Sequence, residues 1–477
     1  MRTEPAESTL QRSRYLAVHA TRSGARLAYH TLFGNLTWMD AELSGLLEAE
    51  PGPLPWSRLE ALAGPEIAHR LFASYFYVRS PEEEREEIAE WLAERRELAP
   101  TGHFVQGLQI TSSNACNFAC TYCFADASDK RSAVRQQVAR GPANISYELA
   151  EQAIRQVRDL SGRNGQDRIA VKFLGREPLV SWPVIQRLLR TFDDGTVVWA
   201  LTTNGSLLTR EVAEALKDHQ VMTMVSLDGP APVNDTLRVL KARPGSAFEA
   251  TRTALTNLAA VRHPFGVSSV LSSATRFGQM KSFVDGLLDF GVRELELTLA
   301  MQVDGLEAQT AHGSGEELTQ ALCDLYRHAQ GKGLLVHGDW IDPFHRLLTT
   351  YKHREDREVT RPLGAACTAT SHQLSLEPTG DLFPCRAMST HYGHIDTLEE
   401  ALRSPSYEQV VMRTFYNVPA CRSCRLEGFC QGTCLGSSEE ASGDIYNPQE
   451  EYCAVYRRAT DLLLQSLEPP QSFGAGL

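Results

Sequence analysis

Apolar and polar positions follow two rhythms along the chain. In the first 80 residues, after a polar stretch, the runs YLAVHA and ARLAYHTL are rich in β-branched and aromatic side chains and predict a β-hairpin. Three segments with helical signals follow: MDAELSGLLEAE with Asp40 as its cap, PWSRLEALAG ending on Gly64, and PEIAHRLFASY opening on Pro65. YFYVRS returns as a strand. The run PEEEREEIAEWLAERRELAP then reads as a charged, solvated linker helix.

From about residue 104 the rhythm lengthens. FVQGLQIT, RIAVKFLG, TVVWALTTN, VMTMVSLDG, PFGVSSVLSS and VRELELTLA alternate with helical patterns such as SYELAEQAIRQVRDL, SWPVIQRLLRTF and REVAEALKDH. Six such repeats predict an α/β fold of parallel β/α units, a partial (β/α)6 TIM-like barrel, with chemistry at the C-terminal strand ends. The expected division is a small module over 1–80, a linker helix over 81–103, the barrel over 104–330, a bridging helical region over 331–366 and a cysteine-rich domain over 367–477.

Composition adds limits. The chain of 477 residues, 42% hydrophobic and 22% charged, is long enough for two or three domains. No apolar stretch reaches the roughly 18 residues that span a bilayer, and the N-terminus lacks a signal-peptide core, so the cytosol is the expected compartment. A net charge of -12 speaks against a broad nucleic-acid surface; neither nucleic acid nor membrane is an expected partner. Eleven cysteines in a reducing compartment point to metal ligation rather than disulfides. Three lie at 116–123 and seven at 367–453, while Cys323, in EELTQALCDLYRHA, reads as a buried helix residue.

Cys116, Cys120 and Cys123 form C-x3-C-x2-C in the turn after the first barrel strand. Three thiolates on a short loop hold three irons of a [4Fe–4S] cluster and leave the fourth open; the alternative is zinc, which prefers four protein ligands when structural. The triad resembles that of radical S-adenosylmethionine (radical SAM) enzymes. That resemblance implies a cluster whose open iron binds the cofactor's amino and carboxylate groups. It also implies cofactor contacts from Tyr122 and Phe124 beside the third cysteine, from Gly175, Glu177 and Pro178 in LGREP, and from Asn204 in TTNGSLLT. Ser226 with Arg238, around VSLDGP, corresponds to the pair that holds the cofactor carboxylate. Arg176 stands where the family's GGEP motif has glycine.

The later cysteines read C-x12-G-x4-C at Cys367, Gly380 and Cys385, then C-x2-C-x5-C-x3-C at Cys421, Cys424, Cys430 and Cys434, with Cys453 after 18 residues. This is similar to the SPASM extension of radical maturases. The resemblance implies one auxiliary [4Fe–4S] cluster on Cys421, Cys424, Cys430 and Cys453, and a second on Cys367, Cys385 and Cys434 with no obvious fourth cysteine. The cofactors implied are S-adenosylmethionine and three [4Fe–4S] clusters. Residues 1–80 resemble a winged-helix peptide-recognition element, which binds a leader as an added strand. The function expected is an oxidoreductase that installs an oxidative crosslink (cyclophane, ether or thioether) in a precursor peptide, fed by an electron donor such as flavodoxin or ferredoxin. Asp304, past the sixth strand, is the carboxylate expected to take the departing proton. The runner-up is sulfatase-type formylglycine formation on Cys or Ser; a non-enzymatic zinc-ribbon adaptor is the alternative of another class.

Overall fold

The computed structural model describes residues 8–49, 52–241, 245–300, 315–352, 363, 367–370 and 372–469. The N-terminal module holds two small sheets. Strands β2 (Leu16–Ala20), β3 (Arg26–His30) and β4 (Leu36–Met39) form an antiparallel sheet in that order, and its first two strands are the expected hairpin. The polar stretch before it contains a strand the pattern did not reveal, β1 (Thr9–Arg12), flanked by β5 (Leu54–Pro55) and β6 (Tyr77–Val78). Its only fully buried side chain is Leu10, too little apolar signal to read. The three helices Ala41–Ala49, Trp56–Ala63 and Pro65–Ala73 form where their caps predict. Asp40 Oδ1 accepts the Leu43 amide at 2.6 Å, and Gly64 closes the second helix.

The helix Pro81–Leu98 departs from its expected solvated role. Glu84 is buried and accepts from the His30 ring, while Arg95 is buried and donates to the Val411 carbonyl at 2.7 Å. One charged helix therefore fastens the first module to the C-terminal domain. Charge density on a helix reports solvent only where no partner is waiting, and here tertiary partners accept the charge.

All six barrel strands form: β7 (Gly107–Ser113), β8 (Ile169–Gly175), β9 (Val197–Thr203), β10 (Met222–Ser226), β11 (Phe265–Leu271) and β12 (Glu294–Leu299). They lie in sequential parallel order. Two additions lengthen the sheet. β13 (Leu335–His337) pairs parallel to β12 within the span expected to be a bridging helical region. β14 (Gln373–Leu376) pairs parallel to β7 and leads into the antiparallel β15 (Asp381–Phe383) and β16 (Gly393–His394), giving ten strands. The cysteine-rich region thus shares a sheet with the barrel. Helices such as Tyr147–Arg163, capped by Ser146, cover the outer face with Ile154, Val157 and Leu160. Among the described residues no helix is long and apolar enough to cross a membrane.

The first module also packs directly on the C-terminal domain. A Cβ on Gly428 would lie 2.0 Å from the Thr31 carbonyl oxygen, and Tyr29 meets Phe429 edge-on at 5.8 Å. Gly428→Ala is expected to destabilise the protein by about 1–3 kcal/mol through forced separation of the two backbones, measured as a lower thermal midpoint.

Candidate active site

The sheet brings four turns together at the C-terminal ends of β7 to β10. The cysteine loop leaves β7 and runs into the helix Phe124–Arg131. Its backbone is pinned along the segment after β10: Ala119 N donates to Val239 O at 2.7 Å, Thr121 N to Leu237 O at 2.9 Å, and Lys241 N to Asn117 O at 2.9 Å. Phe118 anchors the loop in the interior. Burial raises the Cys116 thiol and pushes Cys120 up to about 12, with the neighbouring Cys123 adding to both, so the three thiols face a common space. Arg238 opposes the rise at Cys120. Bare thiols that resist ionisation here become thiolates only when a cation arrives.

The second turn fits tightly under the loop. Gly175 has φ +128 and a Cβ there would meet the Ser113 carbonyl oxygen at 2.6 Å, so no side chain fits. Arg176 N and Glu177 N donate to Ser113 O and Ala115 O at 3.1 and 3.2 Å. Pro178 opens the short turn that follows. The Glu177 carboxylate, expected at the cofactor's ammonium, is fully buried and already engaged: it accepts from Thr203 Oγ1 at 2.6 Å, Leu179 N at 3.0 Å and Asn204 N at 2.8 Å. It ties the second turn to the third. Burial raises its pKa while these donors pull it back. Asn204 in turn reaches the cysteine loop, donating to Asn117 Oδ1 at 3.0 Å and lying 3.8 Å from Cys116 Sγ.

Arg176 turns away from this cradle. Its guanidinium pairs with Asp126 and, at 2.7 Å, with Asp129, both on the helix after Cys123. The departure from glycine thus serves the scaffold of the loop. Asp129 passes the connection on to Arg386, at 2.6 Å, from the cysteine-rich domain.

At the fourth turn the sequence paired Ser226 with Arg238. The structure holds Arg238 in a two-pronged ion pair with Asp228, at 2.8 and 2.9 Å, and Asp228 also accepts from the Tyr122 hydroxyl at 2.5 Å. Asp228 is the residue sequence reasoning missed, although it lay in view within SLDGP. It is fully buried and receives the Val270 amide as well. Tyr122 is thereby fixed through its hydroxyl, and Phe124 opens the helix after the loop.

The seven later cysteines fall into two sets. Burial, and then the charge of neighbouring thiols, raises Cys367 and Cys385 on one side, with Cys434 beside both, and Cys421, Cys430 and Cys453 on the other, with Cys424 beside all three. Arg413, also unforeseen, is buried among both sets, donating to the carbonyls of Ile445 at 3.0 Å and Gly432 at 2.8 Å and to Gln431. Two cysteine sets sharing one buried cation form a donor arrangement suited to anionic iron–sulfur clusters. Among the described residues no three Cys, His, Asp or Glu side chains converge on the scale of one metal ion. Cys323 is buried against the Ala459 carbonyl, as expected of a packed helix residue. Asp304 lies outside the described residues.

A cavity of 610 Å³ joins the two halves. Lys172, Met224 and Glu296 line it from the barrel strands, and Cys367, Cys430 and Cys434 from the opposite wall. Asp339, just beyond β13, faces this space and accepts the Tyr456 hydroxyl at 2.5 Å. Burial pushes the Asp339 carboxyl up to about 6.

The Radical SAM superfamily profile matches residues 110–271, and the profile of SPASM, an iron–sulfur cluster-binding domain, matches 367–425. The chain is 26% identical over 397 residues to radical SAM cyclopropyl synthase TigE of Paramaledivibacter caminithermalis, across 82% of this chain and 81% of that one. Its fold is similar to that of native anSMEcpe with bound AdoMet (TM-score 0.59, 18% identity, 75% of this chain and 96% of that one). It is also similar to Streptococcus suis SuiB bound to S-adenosylmethionine (TM-score 0.55, 16% identity, 93% and 99%). The chain thus carries a radical SAM domain over residues 110–271 and a SPASM iron–sulfur cluster-binding domain over residues 367–425, and is an enzyme of S-adenosylmethionine and [4Fe–4S] clusters.

Proposed function

We propose that the protein is a peptide maturase that removes hydrogen from one residue of a precursor peptide and closes an oxidative crosslink there. In this reading Cys116, Cys120 and Cys123 hold the cluster that binds S-adenosylmethionine. Cys421, Cys424, Cys430 and Cys453 hold one auxiliary cluster and Cys367, Cys385 and Cys434 the other. Tyr122, Phe124, Gly175, Pro178 and Ser226 border the cofactor, and Glu177, Asn204 and Arg238 keep that border in shape. The cofactor supplies the hydrogen-abstracting chemistry; the protein positions the peptide and excludes water.

The cavity carries this reading, because its walls include thiols of both SPASM sets together with the barrel lumen and a carboxylate. The relatives point the same way: TigE is named a cyclopropyl synthase, and SuiB was solved bound to precursor peptide SuiA. Within the cavity Asp339 takes the departing proton on its carboxylate, with Tyr456 holding it in place. Because that group is a neutral acid below about 6, product formation is expected to rise with pH through about 6 and then level. Asp339→Asn is expected to lower the rate about a hundredfold and remove that limb, measured by mass spectrometry of timed reactions.

Co-expression with candidate precursor peptides tests the function. The expected product has lost two hydrogens relative to the precursor, with deoxyadenosine formed. A peptide of unchanged mass overturns the crosslinking reading.

A further inference from the structure

Arg413 follows the helix Pro405–Val411 and is 2% exposed. Arg135, Arg238 and Arg386, also buried, each pair with a carboxylate. Arg413 pairs with none among the described residues. Its guanidinium donates to backbone carbonyls instead: Nε to Ile445 at 3.0 Å, Nη2 to Gly432 at 2.8 Å and Nη1 to Gln431. The groups whose negative form would balance it are Cys421 and Cys430 of one set and Cys367 and Cys434 of the other. A Cβ on Gly432 would lie 2.8 Å from Arg413 Nη2 and 3.3 Å from Cys421 Sγ, so the cation and that sulfur flank one point of the backbone. Carbonyls satisfy the N–H groups but leave the charge itself uncompensated, and a buried cation is retained where an anion lies beside it.

The backbone that Arg413 holds is unusual. Gln431, Gly432 and Thr433 take φ of 59°, 84° and 59°, three left-handed residues in succession, two of them carrying side chains. Such a stretch persists where its surroundings over-determine it. Here the amides of Gly432 and Thr433 turn onto the Cys430 sulfur, while the carbonyls of Gln431 and Gly432 turn onto Arg413. This loop is also the shortest covalent link between the two sets, since Cys430 belongs to one and Cys434 to the other.

Resting on the assignment of the seven later cysteines to two auxiliary clusters, we infer that Arg413 is the counter-ion those clusters share: its charge raises the reduction potential of both, and its fork keeps the loop between them in place. A cluster with thiolate ligands is anionic and becomes more so on taking an electron, so a fixed cation beside it favours the reduced form. Closing a crosslink releases one proton and one electron from the substrate radical. Asp339 takes the proton in the reading above, and the charge of Arg413 makes the SPASM sets the favourable place for the electron. Arg413 acts through the clusters rather than on the substrate, as a positioning residue.

The test is a redox titration of the full-length, cluster-loaded protein with dithionite, followed by electron paramagnetic resonance; a Cys120→Ala background removes the signal of the first cluster. Arg413→Gln keeps a hydrogen-bonding amide without the charge, and Arg413→Lys keeps the charge without the fork. Arg413→Gln is expected to move the reduction equilibrium of both auxiliary clusters about tenfold toward the oxidised form, about 59 mV for one electron, while Arg413→Lys stays within about threefold of the parent. In Arg413→Gln the thermal midpoint of the loaded protein is expected to fall more than that of the cluster-free protein; equal falls mark a purely structural residue and overturn the shared counter-ion. Auxiliary signals that Arg413→Gln leaves unshifted also overturn it, with the cluster assignment still standing, whereas a parent protein without auxiliary signals overturns both. If Arg413→Gln cannot be loaded, Arg413→Lys decides: parent potentials with about eight irons in the SPASM sets support the charge, and loss of that iron assigns Arg413 to the shape of the loop alone and overturns the inference.

Discussion

Arg135→Met is expected to destabilise the folded protein by about 3–5 kcal/mol and to release iron preferentially from the set that includes Cys385. Arg135 is fully buried in the helix Ala133–Ala139, which follows the helix after the cysteine loop. It pairs with the fully buried Glu377 at 2.5 Å, donates to the Met388 carbonyl at 2.7 Å and the Cys385 carbonyl at 3.0 Å, and lies over the Phe383 ring at 3.6 Å. Methionine fills the space but strands the carboxylate and two carbonyls in a dry interior. Arg386, 3.7 Å from Glu377, offsets only part of the charge because it already serves Asp129. Arg135→Lys keeps the charge without the planar fork and should fall between the two. Thermal unfolding of the cluster-loaded protein, with iron assayed before and after, measures the effect. A midpoint within a degree of wild type would show that the network does not join the domains.

Cys120→Ala is expected to abolish deoxyadenosine formation and to lower bound iron by about four per chain from about twelve, leaving the SPASM iron in place. The reason is the loop's geometry. Cys120 lies between Ala119 and Thr121, whose amides are both held by the segment 237–239, so no neighbouring side chain can move in to replace it. Anaerobic reconstitution followed by iron and nucleoside assays measures both quantities. Zinc retained in place of iron, without cofactor cleavage in the wild type, would instead support the zinc-ribbon adaptor.

How much of this was legible in the sequence depended on the range of the interaction. The strands β7 to β12 were readable because each presents a short apolar run bounded by turns, and the order of the turns followed from right-handed parallel connections. The strand Leu335–His337 was not, since three residues carry no period. Asp339, which follows that strand and is the carboxylate proposed here for the proton, carries no sequence signal of its own. Charge was the least reliable guide. PEEEREEIAEWLAERREL looks solvated in isolation, but Glu84 and Arg95 find partners at His30 and Val411, far away in sequence.

By itself, the sequence determined the donor chemistry: ten cysteines in three spaced groups, a glycine where Gly175 must take positive φ, and the strand–turn–helix rhythm that carries them. These are local properties, set by covalent spacing and backbone sterics. Only the tertiary structure decided what the charged residues do. Arg176 braces the helix behind the cysteine loop, Asp228 holds Tyr122 and Arg238, and Arg135 and Arg386 tie barrel to SPASM. A buried charge takes its role from the partner that removes it from water, and that partner lies tens to hundreds of residues away, where no local pattern can name it.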